Sequence, residues 1–145
     1  MTMAFLLPFA KAAADEGEVP IAAAILGPDG AVLATAHNEV ELHGDATAHA
    51  ELLAIRAASE KLGQKYLTGC TLVVTLEPCA MCAQAASLAK IGKIIFGAYD
   101  AKGGGVEHGA RVFSHPTCHH APEVIGGVME AECGALLREF FAGKR

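Results

Sequence analysis

Residues 71–99 contain two β-branched apolar runs, "TLVVTL" and "KIIFGAY", with "EPCAMCAQAASLAK" between them. Neither run alternates apolar with polar, so each predicts a strand covered on both faces. Pro78 suits the opening of a helix, where its missing N–H costs nothing. Strand, helix and strand in that order require a right-handed parallel crossover. This stretch narrows the fold further than any other, because it demands a sheet with helices packed on it.

The flanking sequence completes the layers. "IAAAIL", "GPDG" and "AVLATA" read as two strands around a tight turn. A first helix is expected over 5–16, with Pro8 near its start. Another begins near His49, capped by Thr47 or Asp45. Its Leu52, Ile55 and Leu62 share one face, and Arg56, Glu60 and Lys61 suit solvent. "KGGGVEHGARVFSHPTCHHAP" is a long irregular loop of the kind that carries function. A last helix over 128–142 is expected to bury Cys133, Leu137 and Phe140. With no repeat or linker, residues 1–145 form one α/β domain. Its three layers are a central mixed sheet, hairpin first and parallel later, with helices on both faces.

Composition excludes some functions. Hydrophobic residues make up 52% of the chain and the mean hydropathy is +0.36, which rules out disorder. The apolar surplus points to surface buried against another subunit. A net charge of -5 is unlike a general nucleic-acid binder. Any RNA contact needs a local patch, for which Lys90, Lys93, Lys102 and Arg111 are candidates, with Arg138, Lys144 and Arg145 near the C-terminus. No apolar run reaches membrane length. "MAFLLPFAKAAA" has no positive residue ahead of its apolar part, so it reads as helix rather than secretion signal. A cytoplasmic location is expected. Five cysteines, an odd count, argue there for metal, catalysis or burial rather than disulfides.

"TAHAELLAI" places His49 and Glu51 inside an otherwise apolar, helix-prone run. Cys79 and Cys82, with two residues between them at a helix start, emerge on one face. The helix dipole favours their thiolate form. Alone, this pair reads equally as a redox couple. His49 also opens a helix after a strand-rich segment, and such openings cluster at the carboxyl ends of parallel strands. One imidazole and two thiolates suit zinc. Three ligands leave a position open for a water whose pKa falls to ~7, and Glu51 can take its proton. In a regular helix, residues i and i+2 do not face each other, so Glu51 has to reach round from the first turn. The competing arrangement is a structural zinc with a fourth ligand from Cys70, Cys118, His119, His120 or His37.

"HAE" at 49–51 with "PCAMC" at 78–82 resembles the H-x-E … P-C-x-x-C signature of the zinc-dependent nucleoside and nucleobase deaminases. With "GEVPIAAAIL", "DATAHAELLAIR", "VTLEPCAMCA", "IIFGAYDAKGG", "HPTCHH" and "ECGALLREFF", nearly the whole chain is similar to the bacterial tRNA-specific adenosine deaminases. The resemblance implies a cytidine-deaminase-like α/β/α fold and a cytoplasmic homodimer with one Zn2+ per subunit. The implied reaction converts adenosine to inosine at the wobble position of a tRNA anticodon stem-loop. It assigns His49, Cys79 and Cys82 as zinc ligands and Glu51 as proton shuttle. Asn38 would hydrogen-bond the flipped base, and backbone around Glu77, Pro78 and Cys79 would lie near the attacked carbon. Asp100 would contact flanking nucleotides. Read without the resemblance, Asn38 is a turn residue and Asp100 a loop cap. Ala22 and "GGGVEH" depart from the commoner pattern. The alternative activity is deamination of a free guanine- or cytosine-type base or nucleoside.

Overall fold

The computed structural model describes residues 2–144, so Arg145 lies outside the described residues. Among the described residues, five α-helices, α1 (Thr2–Asp15), α2 (Val40–His43), α3 (Ala50–Leu62), α4 (Ala80–Leu88) and α5 (Glu130–Ala142), and one 3-10 turn (Val112–Ser114) accompany five strands. The strands are β1 (Ala22–Leu26), β2 (Val32–His37), β3 (Thr71–Leu76), β4 (Lys93–Ala98) and β5 (Glu123–Ile125). They form one mixed sheet in the order β2-β1-β3-β4-β5. β1 runs antiparallel to β2 and β3, whereas β3, β4 and β5 run parallel.

Successive strand residues enter opposite cores, which explains the unbroken apolar runs. Ala23, Ile25, Leu72, Val74, Ile94 and Phe96 pack with Ala50, Ala54 and Ala58 of α3 and Ala83 and Ala86 of α4. Ala22, Ala24, Val73 and Ala98 pack on the other face with Met3, Leu6 and Ala10 of α1 and Cys133 of α5. The three expected layers are therefore present. Ala22, which departs from the commoner pattern, is fully buried beneath α1.

Several local expectations change. Pro8 lies inside α1, not near its start. A buried stripe of Met3, Leu6, Ala10 and Ala13 holds the helix, and the exposed proline ring is accommodated on its solvent side. In α3 the buried face is Ala50, Glu51, Ala54, Ile55 and Ala58, while Leu62 is exposed. Small residues win there because the helix lies close against β1 and β2. In α5 only Cys133 is fully buried; Leu137 and Phe140 are half-buried. α2 and β5, four and three residues long, are too short for their periodicity to be read.

Lys90 and Lys93 precede or open β4, and Lys102 follows its far end. Five residue steps of strand separate those ends by ~17 Å. Lys93 also faces Glu123 at 3.9 Å, and Lys90 lies over the Tyr66 ring. These lysines do not form one patch. Among the described residues, no helix is long and apolar enough to cross a membrane.

Candidate active site

His49 and Cys79 are the N-cap residues of α3 and α4, both with extended backbone. Neither side chain caps its own helix. Both are thereby left to point into the space between the helix starts, at the carboxyl end of β3. Thr47 and Asp45 do not cap α3 either, because Asp45 Oδ1 accepts from the Thr47 N–H and hydroxyl at 2.8 and 2.7 Å. The Ala50 N–H at the start of α3 instead donates to Asn38 Oδ1 at 2.8 Å, from just beyond β2.

His49 Nδ1 lies 3.6 Å from Cys79 Sγ and 3.6 Å from Cys82 Sγ. All three donor atoms fall within 4.8 Å of one another. Tetrahedral zinc with ordinary Zn–N and Zn–S bonds places N and S ~3.6 Å apart. The donor set therefore fits zinc in both chemistry and spacing. No fourth His, Cys, Asp or Glu joins this group among the described residues. His37 Nδ1 bonds the Asn38 carbonyl, Cys118 lies against Ser87, and His120 Nε2 bonds the Ile91 carbonyl. Cys70 is buried just before β3, at the opposite end of that strand.

Glu51 sits in the first turn of α3 and is 4% exposed. Its charge bears on Cys82 and raises that thiol. The side chains of His49 and Glu51 share one space because His49 is extended rather than helical, so the two leave a bend in the chain. Burial raises the Glu51 carboxyl to about 7, with the Cys79 thiolate adding to the rise. The Cys82 thiol donates to Cys79 and holds it down at about 4, with His49 acting in the same sense against burial. Cys82 is pushed strongly upward by that thiolate, by burial and by Glu51. Hydrogen bonding to Cys79 raises His49. Both sulfurs must be thiolates to hold a metal, so metal binding is coupled to proton release.

A cleft of about 510 Å³ opens beside His49, lined among others by Ile21, Asn38, Leu76, Tyr99, Asp100 and Phe141. Asn38 is 5% exposed. Its oxygen is committed to Ala50, and the residue lines the cleft. One residue therefore fixes α3 and borders whatever enters. Asp100 lines the cleft and is also a loop cap, with Oδ1 accepting from Lys102 and Gly103 N–H. Glu77 and Pro78 do not line the cleft. The Glu77 side chain is buried behind it, and the Pro78 carbonyl accepts the Gly105 N–H at 2.8 Å.

Two carboxylates take structural parts that the sequence pattern does not announce. Glu18 is 2% exposed and accepts the N–H groups of Glu41 and Leu42, which holds α2 at the cleft. Glu77 gathers the loop after β4. Glu77 carries a local signal, an acidic residue closing an apolar run in "TLEP", whereas Glu18, after Asp15, Glu16 and Gly17, carries none.

An imidazole and two thiolates at paired helix starts, with a buried carboxyl alongside, define a zinc-dependent hydrolytic centre. Residues 1–98 match the family described as the cytidine and deoxycytidylate deaminase zinc-binding region, and the chain belongs to that family. It is 51% identical over 143 residues to a tRNA-specific adenosine deaminase of Agrobacterium fabrum, covering 99% of this chain and 93% of that protein. A structure from studies of A-to-I editing by tRNA:A34 deaminases at the wobble position of transfer RNA superposes with TM-score 0.91. It is 50% identical and covers 93% of this chain and 97% of its own. A guanine deaminase from Nitrosomonas europaea superposes with TM-score 0.79 at 25% identity, covering 97% and 82%.

Proposed function

We propose that this chain hydrolytically deaminates adenosine to inosine at the wobble position of a tRNA anticodon. The observation that carries this reading is the three-ligand zinc site beside a cleft lined by Asn38. It occurs in a chain half identical, over nearly its full length, to tRNA-specific adenosine deaminases. His49, Cys79 and Cys82 hold one zinc per subunit. When bound, zinc supplies the Lewis acidity that makes water a nucleophile near neutral pH.

The chain's own residues do the rest. Glu51 takes the proton of the attacking water and delivers it to the purine ring nitrogen. It then moves the proton of the new C6 hydroxyl to the departing amino group, so a C–O bond forms, a C–N bond breaks, and ammonia leaves. Asn38 Nδ2 donates to the base and fixes its orientation. The start of α4 at Cys79 borders the attacked carbon. The target base is splayed out of the anticodon loop, as single-stranded recognition requires. Tyr99 and Phe141, both exposed at the cleft, offer flat surfaces to neighbouring bases, and Asp100 meets the flanking nucleotides. The working form is a cytoplasmic homodimer.

The test compares a stem-loop RNA bearing adenosine at the wobble site with free adenosine, adenine, guanine and cytidine. Ammonia release from the stem-loop at a kcat/KM far above the small molecules is the expected result. Turnover confined to free bases would overturn the tRNA reading and leave the zinc chemistry standing. Sedimentation at micromolar concentration should return twice the chain mass.

A further inference from the structure

The Glu77 carboxylate is completely buried and serves as the knot of one loop. Oε1 accepts the Asp100 N–H at 3.0 Å and His108 Nδ1–H at 2.8 Å. Oε2 accepts the N–H groups of Val106, Glu107 and His108 at 3.2, 2.8 and 3.0 Å. Both ends of the 100–108 loop therefore close on one side chain two residues from a zinc ligand. The loop is tight: a Cβ at Gly104 would lie 2.6 Å from Glu77 Oε2.

The two oxygens are not equally secured. Oε2 holds three backbone donors that any residue supplies. Oε1 holds the Asp100 end with one backbone donor, and its second donor is the His108 ring. A carboxylate only accepts, so Nδ1 carries the proton. The same ring stands edge-on to Tyr99, with centroids 6.0 Å apart. Tyr99 rests edge-on against Phe96 at 5.1 Å, in the core. His108 thus touches both the anchor and the aromatic residue that line or support the cleft wall, yet is not itself a lining residue.

We propose that His108 is a positioning residue: through Glu77 Oε1 and Tyr99 it sets the pose of the 99–108 loop, and so governs binding of the segment flanking the reacting base. In its substrate it rests on the function proposed above; in its loop geometry it does not. His108→Ala removes both the donor and the edge contact. His108→Phe keeps the ring against Tyr99 and loses the donor. His108→Asn returns an N–H at nearly the Nδ1 position.

Two measurements test the proposal on the zinc-loaded full chain. The first is amide hydrogen exchange. His108→Ala and His108→Phe should speed exchange at 100–108 at least tenfold, leaving the α3 and α4 amides as in the wild type, and His108→Asn should restore protection. The second is kinetics on the stem-loop RNA. The Ala and Phe variants should raise KM about tenfold, with kcat within threefold of wild type, and Asn should recover KM. Unchanged exchange at 100–108 overturns the proposal, as does loss of protection throughout the chain or failure of Asn to rescue. Altered exchange in a protein that turns over no RNA would instead sink the tRNA reading and leave the loop assignment intact.

Discussion

Asn38 Oδ1 accepts the Ala50 N–H at 2.8 Å, so a residue at the end of β2 caps the helix that His49 opens. The same amide lines the cleft. Asn38→Ala should therefore lose about 1 kcal/mol of stability, the ordinary worth of a helix cap, and substrate affinity as well. Asn38→Asp keeps an acceptor for Ala50 but has no Nδ2. It should unfold within a few degrees of wild type while kcat/KM falls about tenfold, the worth of one hydrogen bond. Thermal unfolding and steady-state kinetics on the same samples separate the two effects.

Metal binding and proton transfer separate by residue. Cys79→Ala or His49→Ala removes one of three donors and should bring zinc content close to zero by elemental analysis. Glu51→Gln retains all three ligands and should keep one zinc per chain. Its kcat should nevertheless fall at least about 100-fold, because general acid–base transfer is lost. A glutamine variant that retains most of its turnover would remove Glu51 from the mechanism.

Gly104 has no room for a methyl group. Its Cβ would lie 2.5 Å from the Asp100 carbonyl and 2.6 Å from Glu77 Oε2. Gly104→Ala should cost about 1–3 kcal/mol in denaturant unfolding, as overpacking does, and raise KM by displacing Asp100. Equal denaturation midpoints for variant and wild type would show that the loop gives way at no cost.

Burial raises the Cys133 thiol to about 11 from its ordinary 9.0, with nearby Glu132 acting in the same sense. The folded thiol keeps its proton to higher pH than the unfolded one. Across that window the unfolded chain binds fewer protons, so stability falls as pH rises from 9 to 11. Cys133→Ala should show a shallower loss over the same range. Urea midpoints of the two proteins at matched pH give the comparison, and parallel curves would contradict it.

The sheet was legible because β3 and β4 are β-branched runs with no alternation, a pattern that only burial on both faces explains. The helix starts at His49 and Cys79 were legible from the polar breaks before them. Pro8 misleads, because local propensity places proline at a helix start and the packing of Met3, Leu6 and Ala10 outweighs it. Sequence neighbours point to the wrong α3 cap, since Asn38 lies twelve residues upstream of the N–H it satisfies. Glu18 and Glu77 are hidden for a related reason. A buried carboxylate is explained only by its partners, and theirs lie 23 to 31 residues away.

The sequence by itself determined the donor types, the pairing of two thiolates on one helix start and the parallel crossover, because each follows from side-chain chemistry or from the pattern of adjoining segments. Only the tertiary structure decided that Nδ1 and both sulfurs meet at 3.6 Å, that Asn38 caps α3 while lining the cleft, and that His108 shares the Glu77 carboxylate with Asp100. The physical reason is that such contacts depend on which strands lie side by side and where their ends fall, and the order β2-β1-β3-β4-β5 is written in no single segment.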